Sequence, residues 1–271
     1  MRLAVLSDIH SNFVALEAVA LDIAAQSPDA IVVAGDFLNR GPQPRAVWEF
    51  LRERGWPLLR GNHEDYVVAQ CVELDEGDDF SHALWQPARW TAEQLGRPRA
   101  ALEQLPLSLS LGEIQIWHGT VQRNNDGVFP NTPDAAILER IAPEGEAAPP
   151  LFCCGHTHQP LVRRFEKTLI VNAGAAGLPF DGDARGSWAL LDWNEDEAHA
   201  EIRRVEYDRD ASYRAFEDDG FLRDGGPLAR VIRREIETAR PHLGPFVNRY
   251  ADAVRAGTMA LDEAVNRYLH H

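Results

Sequence analysis

Five short apolar runs in the first 160 residues each stop at Asp, His or Asn, usually beside a glycine. Arg2–Ser7 is followed by Asp8-Ile9-His10, and Ala30–Ala34 by Gly35-Asp36. Leu58–Arg60 is followed by Gly61-Asn62-His63-Glu64, the run ending at Trp117 by His118-Gly119, and Leu151–Cys154 by Gly155-His156-Thr157-His158. Asp8, His10, Asp36, Asn62, His118, His156 and His158 form a nitrogen and oxygen donor set without thiolates. Such a set suits Mn, Fe, Zn or Ni and argues against a structural zinc or iron–sulfur centre. Seven donors exceed the needs of one ion and suit two ions sharing a carboxylate. Two ions about 3.5–4 Å apart form the clamp used for in-line phosphoryl displacement. In Asp8-Ile9-His10 and His156-Thr157-His158 the donors stand two apart, so an extended segment would point both the same way. Asp8-Ile9-His10 and Gly35-Asp36 are weak signals alone and Gly155-His156-Thr157-His158 is the strongest; their order, each after a strand, carries the inference.

The elements that position these residues alternate. Arg2–Ser7, Ala30–Ala34 and Leu58–Arg60 read as strands, with helices over Asn12–Gln26 and Pro44–Arg54 between them. That βαβαβ pattern predicts an α/β fold, and in parallel sheets sites form beyond the carboxyl ends of the strands. Residues 65–106 read as a helical insertion, with an acidic loop at Glu73–Asp79. Trp85 and Trp90 lie there, read as core residues ahead of stacking partners for a base. Later strands are expected at Glu113–Trp117, Leu151–Cys154, Thr168–Val171, Ser187–Trp193 and Ala198–Tyr207, the last ones antiparallel. Residues 120–150 read as loop with one short helix. Residues 208–271 read as helices broken at Gly225-Gly226 and Pro241, a helical C-terminal extension packed on the domain formed by 1–207. His270 and His271 end the chain without an assigned role.

The chain has 271 residues with 42 acidic against 27 basic side chains, a net charge of −15. That field repels phosphate backbones and argues against a nucleic-acid partner. No apolar run approaches the roughly 18 residues that span a bilayer, which predicts no membrane partner. The opening apolar run is too short for a signal-peptide core, so the expected location is cytoplasmic. Cys71, Cys153 and Cys154 make no disulfide framework.

The order DxH, GD, GNHE, HG, GHTH resembles the calcineurin-like metallophosphoesterase superfamily over about residues 1–207. Asn172–Asp192 resembles its smaller bacterial phosphodiesterase/phosphatase branch. The resemblance implies a four-layer αββα sandwich of two mixed sheets flanked by helices. It implies two divalent ions, manganese expected first, with iron, zinc or nickel as alternatives. Asp8, His10, Asp36 and His158 would hold one ion; Asn62, His118 and His156 would hold the second, with Asp36 bridging. His63 would be the acid facing the leaving oxygen, and a metal-bridging hydroxide would attack phosphorus in line. The protein phosphatases of the superfamily carry a carboxylate where Asn39 stands here, a group that pairs with the catalytic His. Its loss argues against that activity. Arg40, Asn39 and Arg123 are the candidate substrate contacts, with Asn124 and Asn172 as lesser ones. Asp181 and Arg185 are expected to pair. The expected activity is hydrolysis of small phosphodiesters, nucleotides among them. The alternatives are a phosphomonoesterase, a protein phosphatase or dinucleoside-polyphosphate hydrolase (supported by Glu64 and Arg40 and weakened by Asn39), or a non-catalytic scaffold of the same fold.

Overall fold

The computed structural model describes residues 1–72, 77–142, 145–194 and 197–270. In chain order the elements begin with β1 (Arg2–Leu6), α1 (Phe13–Gln26), β2 (Ala30–Val33), α2 (Pro44–Arg54), α3 (Asn62–Ala69), α4 (Asp79–Gln94) and α5 (Arg99–Glu103). Next come β3 (Ser108–Leu111), β4 (Ile114–Trp117), α6 (Asp134–Ile141), β5 (Leu151–Cys154), β6 (Leu161–Phe165), β7 (Thr168–Asn172), β8 (Gly186–Trp193) and β9 (Ala198–Val205). The chain closes with α7 (Arg209–Asp218), α8 (Phe221–Asp224), α9 (Ala229–Thr238), α10 (Leu243–Arg255) and α11 (Leu261–Leu269).

The strands form two mixed sheets, ordered β2-β1-β8-β9 and β3-β4-β5-β7-β6. Within the first, β1 pairs parallel to β2 and antiparallel to β8. Within the second, β4, β5 and β7 are parallel, while β3 and β6 are antiparallel edges. Because successive residues of a strand face opposite sides, β1 sends Leu3 and Val5 one way and Ala4 and Leu6 the other. Leu3 and Val5 join Ile116, Cys153 and Val171 in the core between the sheets, whereas Ala4 and Leu6 pack with Leu16 and Val19 of α1 and Val47 of α2. On the far face of the second sheet, Phe152, Cys154 and Ile170 pack on Ile137 and Ile141 of α6. The layers are therefore helix, sheet, sheet, helix. Cys153 and Cys154, buried and free, alternate between the two cores.

Local signals explain the helix ends. Asn12 caps α1 by accepting from Ala15 N, and α2 begins at Pro44 and ends at Gly55 in the left-handed conformation. The strand expected over 58–60 is a single bridge between Leu58 and Val33, because α3 starts at once at Asn62. Two edge strands, β3 and β6, were not expected. In the acidic run, residues 73–76 lie outside the described residues, as does His271; Asp78 caps α4 through Ser81 N. Arg185 pairs with Asp183, and Asp181 with Arg204, in place of the expected Asp181–Arg185 pair. Among the described residues no helix is long and apolar enough to cross a membrane.

The C-terminal helices have their own core. Phe216, Phe221, Ile232, Ile236 and Phe246 pack with Phe80 and Trp90 of α4 and with Leu178. Ser212 of α7 donates to Asn12 Oδ1 at 3.1 Å, tying this layer to the loop after β1. Phe246 is fully buried in this cluster. Phe246→Ala should destabilise the protein by about 3–5 kcal/mol in chemical denaturation, the usual cost of removing a buried aromatic side chain.

Candidate metal centre

The loops leaving β1, β2, β4 and β5 meet the first turn of α3 at one edge of the two sheets. Asp8 and His10 follow β1, Asp36 follows β2, His118 follows β4, and His156 and His158 follow β5, while Asn62 and His63 open α3. All seven residues of the expected donor set come together. His158 Nε2 is 3.2 Å from Asp8 Oδ1 and 3.2 Å from His10 Nε2. His10 Nε2 lies 3.8 Å from Asp8 Oδ1 and 3.9 Å from Asp36 Oδ2. His118 Nε2 lies 3.1 Å from the same Asp36 oxygen, and Asn62 Oδ1 lies 3.1 Å from His118 Nε2 and 2.8 Å from His156 Nδ1. Asp36 thus joins two groups of donors, Asp8/His10/His158 and His118/His156. His63 also comes within 4.8 Å of the donor atoms of His10 and Asp36.

The backbone that delivers these side chains differs from the extended segments expected. Asp8, His10, Asp36, His156 and His158 all have positive φ, between 49° and 65°. This left-handed conformation costs an L residue on the order of 1–3 kcal/mol. Tight left-handed turns, and not strand alternation, let one short segment present two donors. The neighbouring glycines serve close approach. A Cβ on Gly61 would lie 2.1 Å from Asp36 Oδ1, and one on Gly155 would lie 2.0 Å from Ser7 Oγ and 2.5 Å from Asp8 Oδ2.

Backbone groups set the ring orientations. His118 Nδ1 donates to Ala34 O at 2.8 Å and His158 Nδ1 to Leu178 O at 2.5 Å, leaving both Nε2 atoms for the cluster. Asp36 Oδ1 accepts from His63 N, and Asp8 Oδ2 from His156 N. The other oxygens, Asp8 Oδ1 and Asp36 Oδ2, are buried and lack a hydrogen-bond partner, as does His10 Nδ1. Such orphaned acceptors are costly unless something else satisfies them. Burial and the nearby His158 push the His10 pKa down to about 3, and burial and His118 push His156 down to about 4. Burial opposes charge on His118 too, but Asp36 and Asp8 outweigh it and raise its pKa to about 10. Asp8 and Asp36 are lowered despite burial, by His158 and by His118 respectively. Near neutral pH the cation-free centre therefore holds ionised carboxylates, neutral His10 and His156, and a charged His118 that would give up its Nε2 proton when a cation binds; this nitrogen and oxygen set fits divalent cations.

Glu64 holds this arrangement in place. Fully buried, it accepts from Gly61 N, Asp36 N and Leu38 N at 2.8–3.0 Å, capping α3 and clamping the Asp36 loop. It spends both oxygens on backbone groups, which removes its support for a polyphosphate substrate. Burial and the Asp36 carboxylate raise its pKa to about 8, against the pull of those backbone bonds.

The expected substrate contacts separate. Asn39, Arg40 and His63 line one cavity of about 260 Å³, which Trp85 also lines; Trp90 alone of the two tryptophans is in the core. Arg123 lines a different cavity of about 310 Å³ beside His118, with Asn124 bonded to Asp65. Asn172 bonds to Gly155 O, Thr157 Oγ1 and Gly174 N, so it braces the His156 loop. Sequence reasoning missed Glu235 of α9, which is buried with Oε2 3.6 Å from Arg40 while Oε1 accepts from His242 N and Leu243 N. Its only signal was membership of an apolar helix face, at i+3 from Ile232.

The domain model of the calcineurin-like phosphoesterase superfamily matches residues 1–196, and the chain belongs to this superfamily. It is 28% identical over 233 residues to an uncharacterized protein of Methanocaldococcus jannaschii, covering 78% of this chain and 90% of that one. Among solved structures it is similar to a metallophosphoesterase from Sphaerobacter thermophilus, at a TM-score of 0.69 and 27% identity over 88% of this chain and all of the other. A hypothetical protein from Pyrococcus horikoshii shares the fold at a TM-score of 0.70 and 20% identity, covering 84% of this chain and 97% of that one.

Asn39 sets the state of His63. Asn39 Oδ1 accepts from Arg40 N at 2.8 Å, so its Nδ2 donates to His63 Nδ1 at 2.9 Å. His63 must then carry its proton on Nε2 and stay neutral. Burial, with Arg40 and His10 nearby, also holds its pKa well below the usual range, against Asp36. Asn39→Asp reverses the bond: the carboxylate accepts from Nδ1–H and raises the His63 pKa. In an NMR titration of the two metal-free proteins the His63 ring should titrate at higher pH in the variant, with the proton of its neutral form moved from Nε2 to Nδ1. Superimposable profiles for the two proteins would contradict the assignment.

Proposed function

We propose that this chain is a phosphoric ester hydrolase that binds two divalent ions, manganese first among them, and cleaves small phosphodiesters. The observation that carries the reading is the position of Asp36 between two groups of buried donors. On this reading Asp8, His10, Asp36 and His158 hold one ion, and Asp36, Asn62, His118 and His156 hold the other. When bound, such ions polarise a phosphoryl oxygen and supply a strong nucleophile at neutral pH.

The protein's own groups would do the rest. Hydrolysis joins a water oxygen to phosphorus, breaks the ester P–O bond, and leaves the departing oxygen to gain a proton. His63, neutral and carrying Nε2–H, is assigned as a hydrogen-bond donor to that oxygen. This is a weaker task than the imidazolium acid that the family resemblance implied, and it suits good leaving groups best. Arg40, which lines the same cavity, would donate to non-bridging phosphate oxygens with the guanidinium N–H groups that Glu235 does not engage. A small cavity and the Asn39–His63 bond favour this reading over a protein phosphatase, whose family pattern has a carboxylate at that position.

The test is hydrolysis of bis(p-nitrophenyl) phosphate and p-nitrophenyl phosphate by metal-stripped protein with and without Mn²⁺. Diester turnover that depends on Mn²⁺ is expected; turnover of the monoester alone would contradict the phosphodiesterase assignment. Asp36→Asn should lower diester kcat/KM by more than about 100-fold and reduce bound metal, because it weakens a ligand both ions share. Full metal content with wild-type rate in that variant would refute the shared role.

A further inference from the structure

The cavity outside His63 has chemistry that hydrolysis itself does not require. Its lining is polar at Asn39, Arg40, His63 and Asn248 and otherwise apolar or aromatic, with Tyr66 and Trp85 from α3 and α4 and Ile232 and Val247 from α9 and α10. The aromatic rings form a continuous row leading from the metal centre. His10 meets His63 at 4.7 Å between centroids, His63 meets Tyr66 at 5.0 Å, and Tyr66 meets Trp85 at 5.0 Å. Trp85 and Tyr66 are half-buried, so ring surface remains open to the cavity. Trp90 on the same helix belongs to the buried cluster of the C-terminal layer, whereas Trp85 does not.

We propose that this cavity is a subsite for a flat, uncharged aromatic group carried by the phosphoester, with Trp85 as its main stacking partner. The proposal rests on the phosphoesterase reading and adds the class of the organic part. Apolar walls would leave a second charge without solvation, which disfavours phosphopeptides and sugar acids. Aromatic faces reward a ring lying offset or edge-on against them. At about 260 Å³ the space falls just below the roughly 300–1,000 Å³ of drug-sized sites, enough for one ring system and too small for an extended chain. Arg40 and His63 would fix where the phosphate sits. Asn39 Oδ1 pins the Arg40 backbone and the buried Glu235 faces its guanidinium at 3.6 Å, so two contacts hold the cation in the cavity lining. The C-terminal helices, which carry no catalytic motif, would thus set specificity by forming half of the wall.

Two probes that differ only in the ring test this: phenylphosphonate and methylphosphonate, neither of which is hydrolysed. Their binding to the Mn²⁺-loaded full chain is measured by calorimetry. Phenylphosphonate should bind about tenfold more tightly. Trp85→Ala should bring the two within about threefold while leaving methylphosphonate unchanged, and Trp85→Phe should restore the preference. Val247→Trp, which fills the cavity from the opposite wall, should abolish the preference by a second route. Equal affinities in the wild-type chain, or a preference that survives both Trp85→Ala and Val247→Trp, would overturn the subsite. Bis(p-nitrophenyl) phosphate hydrolysis by the same preparation separates the two claims. Intact Mn²⁺-dependent hydrolysis with no ring preference defeats the subsite alone, whereas neither hydrolysis nor phosphonate binding defeats the phosphoesterase reading and the subsite together.

Discussion

Asp8 Oδ1 and Asp36 Oδ2 are buried acceptors facing imidazole nitrogens, and much of the architecture exists to hold them there. Left to themselves, ionised carboxylates out of water are costly. Three partners reduce that cost: imidazole rings, backbone N–H groups at the other carboxylate oxygens, and cations that the donor set fits. The two inner sheets supply the rigidity. Their parallel strands β1, β2, β4 and β5 end together, and the shared apolar core between the sheets keeps those ends within reach of one another.

Rigid strands alone would not aim the donors. The left-handed turns at Asp8, His10, Asp36, His156 and His158 store strain that packing must offset. Gly61 and Gly155 admit the approach of backbone to carboxylate, and Glu64 anchors the Asp36 loop to the start of α3 through three backbone hydrogen bonds. Ala34 O and Leu178 O orient two of the rings from behind. Preorganisation of this kind is what charge stabilisation in a transition state requires.

The α/β class and the convergence of the seven candidate residues were legible because nearly every one of them follows an apolar run that reads as a strand, and the sheet topology then brings them to one edge. The i, i+2 spacing works through a different local geometry from the extended segment that the sequence suggests: left-handed φ presents Asp8 with His10 and His156 with His158. What stayed illegible depends on tertiary contact. Glu235, Ile232 and Val247 reach the site from more than 190 residues beyond Asn39 in sequence, on amphipathic helices whose pattern records burial but not the identity of the neighbour. Arg40 and Arg123 were both read as substrate contacts, Arg40 the stronger, yet the fold puts them in separate cavities. Asp183, not Asp181, takes Arg185, since two-residue spacing in that loop closes the shorter pair.

The central claim is that one buried carboxylate organises two cation sites. Crystals grown with saturating Mn²⁺ and measured at the manganese absorption edge test it directly. Two anomalous peaks are predicted, one among Asp8, His10 and His158 and one among Asn62, His118 and His156, both in contact with Asp36. A single peak, no peak, or two peaks of which only one touches Asp36 would contradict the account.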